Sequence, residues 1–130
     1  MIDSNLFNSH EKAVVVSLLI EMANVDDNVA FEELVTTNNI FARLGIDRDT
    51  FETGRALDTK YAIEAVKAMT DEQKIVLGKL LVEVIDADDK VTHAELALLN
   101  HICRQSGIDV ILNKKEEKSP TEKREKTRKR

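Results

Sequence analysis

Residues 72–109 can be laid on residues 10–47 without a gap, and 15 of the 38 positions are identical. The identities include Lys12/Lys74, Val14/Val76, Leu18/Leu80, Leu19/Leu81 and Glu21/Glu83, and later Glu33/Glu95, Leu34/Leu96, Asn38/Asn100 and Ile40/Ile102. The match closes on Gly-Ile-Asp at 45–47 and again at 107–109. A gapless repeat of this length means that one supersecondary unit has been used twice. Two copies are too few for a solenoid, so the expectation is two helix pairs packed about a pseudo-two-fold axis.

Each copy reads as helix, acidic turn, helix. The first helix should begin near Ser9, with Val14, Val15, Leu18, Leu19 and Met22 at helical spacing on one side. Its counterpart opens at Thr70, where Gln73 completes a capping-box pattern. The run 75-IVLGKLLVEVI-85 is apolar nearly all round, which predicts the buried centre of the fold. Thr92 and Glu95 form another capping pattern, whereas Ala30 at the matching place cannot cap. Gly45 and Gly107 stand where helices end in a left-handed residue. Between the copies, Asp49 and Glu52 suggest a short helix to about Leu57, and 60-KYAIEAVKAM-69 another, capped by Asp58 or Thr59.

No stretch alternates with period two for long enough to make a strand, and one Pro, four Gly and 4% aromatics argue against an all-β fold. The fold class expected is all-α. It is a compact multi-helix bundle over 1–112, with repeats 10–47 and 72–109, linker helices in 48–69 and a charged tail at 113–130. A single cysteine, Cys103, rules out an internal disulfide framework. With a polar N-terminus and no apolar run of membrane-spanning length, the expectation is a cytoplasmic protein without a membrane span.

The charge is unevenly divided. Residues 1–112 hold 10 Lys/Arg against 20 Asp/Glu, a balance of −10, and residues 113–130 hold 9 against 4, a balance of +5. An acidic body carries no nucleic-acid footprint. It favours cations or basic partners. The tail, 114-KKEEKSPTEKREKTRKR-130, has no apolar face and reads as helical or disordered. Its Lys123, Arg124, Arg128, Lys129 and Arg130 are the candidate contacts for an acidic partner or for the protein's own acidic body.

The two acidic turns carry the candidate chemistry. Neither is an EF-hand: counted from Asn24 or Asp86, Val29 or Val91 replaces the obligatory Gly, and Val35 or Ala97 the bidentate Glu. What recurs is an Asp followed seven residues later by a Glu, Asp26 to Glu33 and Asp88 to Glu95. If the turn folds back, the two carboxylates approach and make the start of a hard-cation site, with Asp27, Asp86, Asp89, Glu21 and Glu83 in reserve and His93 as a nitrogen donor. The same residues also have a purely structural reading. A Glu in a helix's first turn answers the helix dipole, and an Asp in the preceding turn suits local hydrogen bonding. Nothing marks a nucleophile, a phosphate loop or a substrate pocket, so an enzyme is not expected.

With its helix, "x-D-x-x-V-x-x-x-E", helix, Gly-Ile-Asp unit used twice, the chain resembles the TerB-like (tellurite-resistance) domain over about residues 9–111. That resemblance implies a compact acidic helical bundle in tellurite and other stress responses, binding a divalent cation (Ca, Mg, Mn or Zn). The family's acidic pairs would fall on Asp26 with Glu33 and Asp88 with Glu95. The family usually has Gly after the first Asp, where this chain has Asp27 and Asp89. The alternative function is a protein–protein interaction module without metal, using the acidic face or the basic tail toward an unknown protein partner.

Overall fold

The structure, a computed structural model, describes residues 5–25, 31–87 and 90–109. Six helices follow in order: α1 (Ser9–Asn24), α2 (Phe31–Leu44), α3 (Arg48–Arg55), α4 (Thr59–Lys67), α5 (Asp71–Ile85) and α6 (His93–Ser106). The fold is an all-α bundle, and the described residues contain no strand. α1 and α5 start 62 residues apart, and so do α2 and α6, which is the offset of the sequence repeat. No described helix is long and apolar enough to cross a membrane.

Local side-chain chemistry starts these helices. Asn8 caps α1, and its Oδ1 accepts the Glu11 N–H while Glu11 Oε1 accepts the Asn8 N–H, both at 2.8 Å. Thr70 with Gln73 does the same for α5, and Thr92 with Glu95 for α6. Each box satisfies two donors that a helix start otherwise leaves open, and losing such a cap costs on the order of 1 kcal/mol. Asp47, rather than Asp49, caps α3, and Asp58 caps α4. Gly45 and Gly107 adopt φ of 70° and 88°, the left-handed region that a helix C-terminus uses.

The first two boxes also meet each other. Gln73 Nε2 donates to Glu11 Oε1 at 3.1 Å and to the Leu6 carbonyl at 2.8 Å. Glu11 and Gln73 are matched positions of the repeat, so the starts of α1 and α5 are clasped through equivalent residues. Phe7, 2% exposed, is buried beside this clasp.

The buried centre is α1, not the 75–85 run of α5. Every residue from Ala13 to Leu19 is buried, and α1 touches all five other helices. On α5, by contrast, Ile75 and Val76 are half-buried and Val82 is exposed. The difference comes from the linker: α3 and α4 both pack on α1. At the α1–α3 crossing a Cβ on Gly54 would lie 2.6 Å from both the Ala13 carbonyl oxygen and Val16 Cβ. Only glycine allows that approach. The two hairpins then close the core with matched residues, Leu18 with Leu80, Leu19 with Leu81 and Ile40 with Ile102, each 2% exposed or less.

Gly54→Ala should therefore destabilise the fold by about 1–3 kcal/mol, overriding the better helix propensity of alanine. Urea unfolding followed by circular dichroism measures this. An unchanged or raised midpoint would show that α3 can move off α1 freely.

Candidate functional site

α2 and α6 each begin at an acidic joint and present a glutamate to the interior. Glu33 lies on the stripe Glu33, Thr37, Ile40, Leu44, and Glu95 on the stripe Glu95, Ile102, Ser106, at the spacing of one helix face. Both carboxylates are 2% exposed, deeper than almost any charged residue of a soluble domain. A carboxylate at that depth must be hydrogen-bonded to be tolerated. Glu95 Oε1 accepts the Thr92 N–H at 3.1 Å, and Thr92 Oγ1 accepts the Glu95 N–H at 3.1 Å. The carbonyl of Glu33 accepts Thr37 Oγ1 at 2.7 Å, and Ser106 Oγ closes onto the Ile102 carbonyl in the same i−4 manner.

The remaining candidates divide into three groups. Asp86 is exposed at the C-cap of α5, where its backbone N–H donates to Val82, and its side chain is on the surface rather than beside a buried Glu. His93, the first residue of α6, is likewise exposed. Asp26, Asp27, Asp88 and Asp89 lie outside the described residues, as do Lys123, Arg124, Arg128, Lys129 and Arg130. Among the described residues no group of three or more His, Cys, Asp or Glu side chains is placed to hold a metal ion.

Burial of the two glutamates is not evident from their position near a turn. It is found by continuing the helical spacing past them to Ile40 and Ile102. Three features escape a reading of residue types. Asn8 with Glu11 is a third capping box. Arg43 Nη2 pairs with Glu83 Oε2 at 2.7 Å, tying α2 to α5 on the surface. The Tyr61 hydroxyl lies 3.1 Å from His10 Nε2 and joins α4 to α1.

Cys103 is half-buried. Burial, and secondarily the negative charge of Asp109, pushes its thiol up from 9.0 to about 11. The folded state therefore holds the neutral thiol, so this contribution to stability is complete below pH 9 and lost between 9 and about 11. The intact protein should lose more stability across that window than Cys103→Ala does, measured by denaturant melts at matched pH. Parallel curves would remove the thiol from the account.

If Glu95 is held for its cap, Glu95→Gln should cost less than about 1 kcal/mol, and Glu95→Ala about 1–3 kcal/mol, because glutamine keeps the acceptor for Thr92. Equal losses in thermal melts would mean that the charge, not the hydrogen bond, is what the site needs.

No family model matches the chain, and no curated protein does. Among solved structures, the fold is similar to the crystal structure of a protein of unknown function from Porphyromonas gingivalis W83. That similarity has a TM-score of 0.66 and 21% sequence identity, and it covers 78% of this chain and 80% of the other. At that identity the chain shares a fold with its neighbour.

Proposed function

We propose that this protein is a non-catalytic binding module of the tellurite-resistance, stress-response type, whose two acidic joints take up a hard divalent cation. The observation that carries this reading is the matched pair of buried carboxylates, Glu33 and Glu95, equally buried and each at the inner end of an acidic joint. Burying a charge is costly, and repeating that cost at the same place in both copies suits a site that a cation neutralises.

The donor chemistry narrows the cation. Each joint offers carboxylate oxygens, Glu33 with Asp26 and Asp27, Glu95 with Asp88, Asp89 and Asp86. Calcium, magnesium and manganese accept such a set, with water completing six or more ligands. Zinc prefers nitrogen and sulfur, and the nearest nitrogen donor, His93, is exposed. The described residues alone supply one buried carboxylate per joint, so the Asp pairs must provide the rest. Oε1 of Glu95 is engaged by Thr92, which orients the group and leaves Oε2 as the oxygen toward a cation.

The protein-interaction reading has its own support. Phe31 is 74% exposed, and Leu34 and Leu96, matched positions in the repeat, are 47% and 45% exposed beside the same joints. Apolar side chains ringing an acidic turn suit a partner that is apolar with basic flanks, with the residues of the tail as a second contact.

Titrating Ca2+, Mg2+, Mn2+ and Zn2+ while following amide NMR shifts separates the two. The cation reading expects saturable shifts around Glu33 and Glu95 at or below about 1 mM metal, abolished by Asp26→Asn with Asp88→Asn. A flat response to all four metals would overturn it. Partner capture that persists in chelator and is lost in Leu34→Lys with Leu96→Lys would place function in the apolar rim.

A further inference from the structure

Among the described residues, α4 and α6 pack together with no hydrogen bond or ion pair joining them. Along their contact lies a cavity of about 320 Å³, lined from α4 by Thr59, Lys60, Ile63 and Glu64 and from α6 by His101 and Gln105. Lys60 and Glu64 stand one turn apart on α4, and His101 and Gln105 one turn apart on α6, so a polar pair flanks the opening on each side. Ile63, 4% exposed, is the apolar residue beneath them.

These polar groups are unequally committed. Thr59 Oγ1 donates to Glu21 Oε1 at 3.2 Å, which ties the cavity's margin to α1. Glu64 Oε2 pairs with Lys67 Nζ, also at 3.2 Å. Lys60, His101 and Gln105 have no hydrogen-bond or ion-pair partner among the described residues. On α6, Leu98 stands one turn before His101 on the same stripe and is half-buried against the core. The stripe therefore turns from apolar to polar where the cavity opens. Closing α6 onto α4 would call for apolar residues at 101 and 105, and the polar ones keep hydrogen-bonding groups around an apolar base.

We propose that this cavity binds a small organic monocarboxylate, its carboxylate held by Lys60, His101 and Gln105 and its apolar portion lying on Ile63. Ligand sites are mostly apolar cavities of roughly 300–1,000 Å³ with a few converging polar groups, so a cavity of about 320 Å³ suits a small ligand. Charge favours an anion here. α4 carries two lysines and one glutamate, a balance of +1, in a body whose balance is −10. Because Glu64 is taken by Lys67, the ammonium of Lys60 is left for an incoming carboxylate. A divalent cation fits poorly, since Glu64 is the single carboxylate of the lining. Inorganic phosphate would use the lysine and leave Ile63 without apolar cover. The cavity is also about two turns along α6 from Glu95, so it stands or falls separately from the acidic joints.

The test titrates benzoate and isovalerate into the full chain, following the His101 ring and Ile63 methyl signals by NMR. Both acids should give saturable shifts with Kd near ~1 mM, the affinity open to so small a ligand. Their neutral amides, benzamide and isovaleramide, should bind at least about tenfold more weakly, and Lys60→Gln should weaken the acids by about the same factor. Lys60 is exposed, so the variant should keep the urea midpoint of the unmodified chain. No saturable response to either acid by about 20 mM overturns the proposal, as does undiminished binding in Lys60→Gln. Amides that bind as well as the acids overturn the carboxylate assignment, and inorganic phosphate that binds as tightly overturns the role of Ile63.

Discussion

The enclosure of α1 is the constraint on which the rest of the structure depends. Seven consecutive residues from Ala13 to Leu19 are buried, which an amphipathic surface helix never allows, and all five other helices contribute to covering them. Once α1 is central, the linker must fold back onto it, and Gly54 is the residue that lets it do so. The clasp between Glu11 and Gln73 then sets α5 alongside α1, start beside start. α2 and α6 close the two remaining sides, and their first turns bring Glu33 and Glu95 to the inner ends of the acidic joints.

How much of this the sequence discloses depends on how local each interaction is. Thr70 with Gln73 and Thr92 with Glu95 are hydrogen bonds across three residues, so residue type and spacing state them in full. Gly45 and Gly107 are legible for the same reason. The all-α class follows from patterning that has one period throughout. The choice of centre was not legible. By composition α5 is the more evenly apolar helix, and what decides against it is where residues 48–67 pack. That choice rests on a steric fit between Gly54 and Val16, 38 residues apart, which no local pattern encodes. The cap of α3 was misread toward Asp49 because two aspartates stand two residues apart. Asp47 prevails because its carboxylate accepts the Thr50 N–H at 2.8 Å, which also holds its own pKa below the usual range.

The candidate site was half legible. The repeat singles out Glu33 and Glu95, and the structure puts both in the same place in their hairpins. Their depth was not foreseen, because a glutamate in a first turn is ordinarily a solvated partner of the helix dipole. Here each helix turns the stripe that contains its glutamate toward α1 and the core, so the carboxylate is carried inward with Ile40 or Ile102. Asp86 and His93 are next to the joint in sequence but on the surface in space, since a neighbour on a helix faces away from it.

A structural tie and the proposed cation site make different demands on the same carboxylate, and the Oε1 contact of Glu95 meets the first. The cap uses Oε1 and a backbone N–H, which fixes the side chain. The body around it has a formal charge balance of −10 over residues 1–112. Such a charge raises the free energy of the compact state unless something positive approaches it. A divalent ion at the joint and a basic tail folded against the acidic body are two ways to meet the same electrostatic demand. They differ in range. Coordination acts within one ligand shell and is little affected by salt, whereas attraction of an exposed tail is screened over about 8–10 Å at ordinary ionic strength.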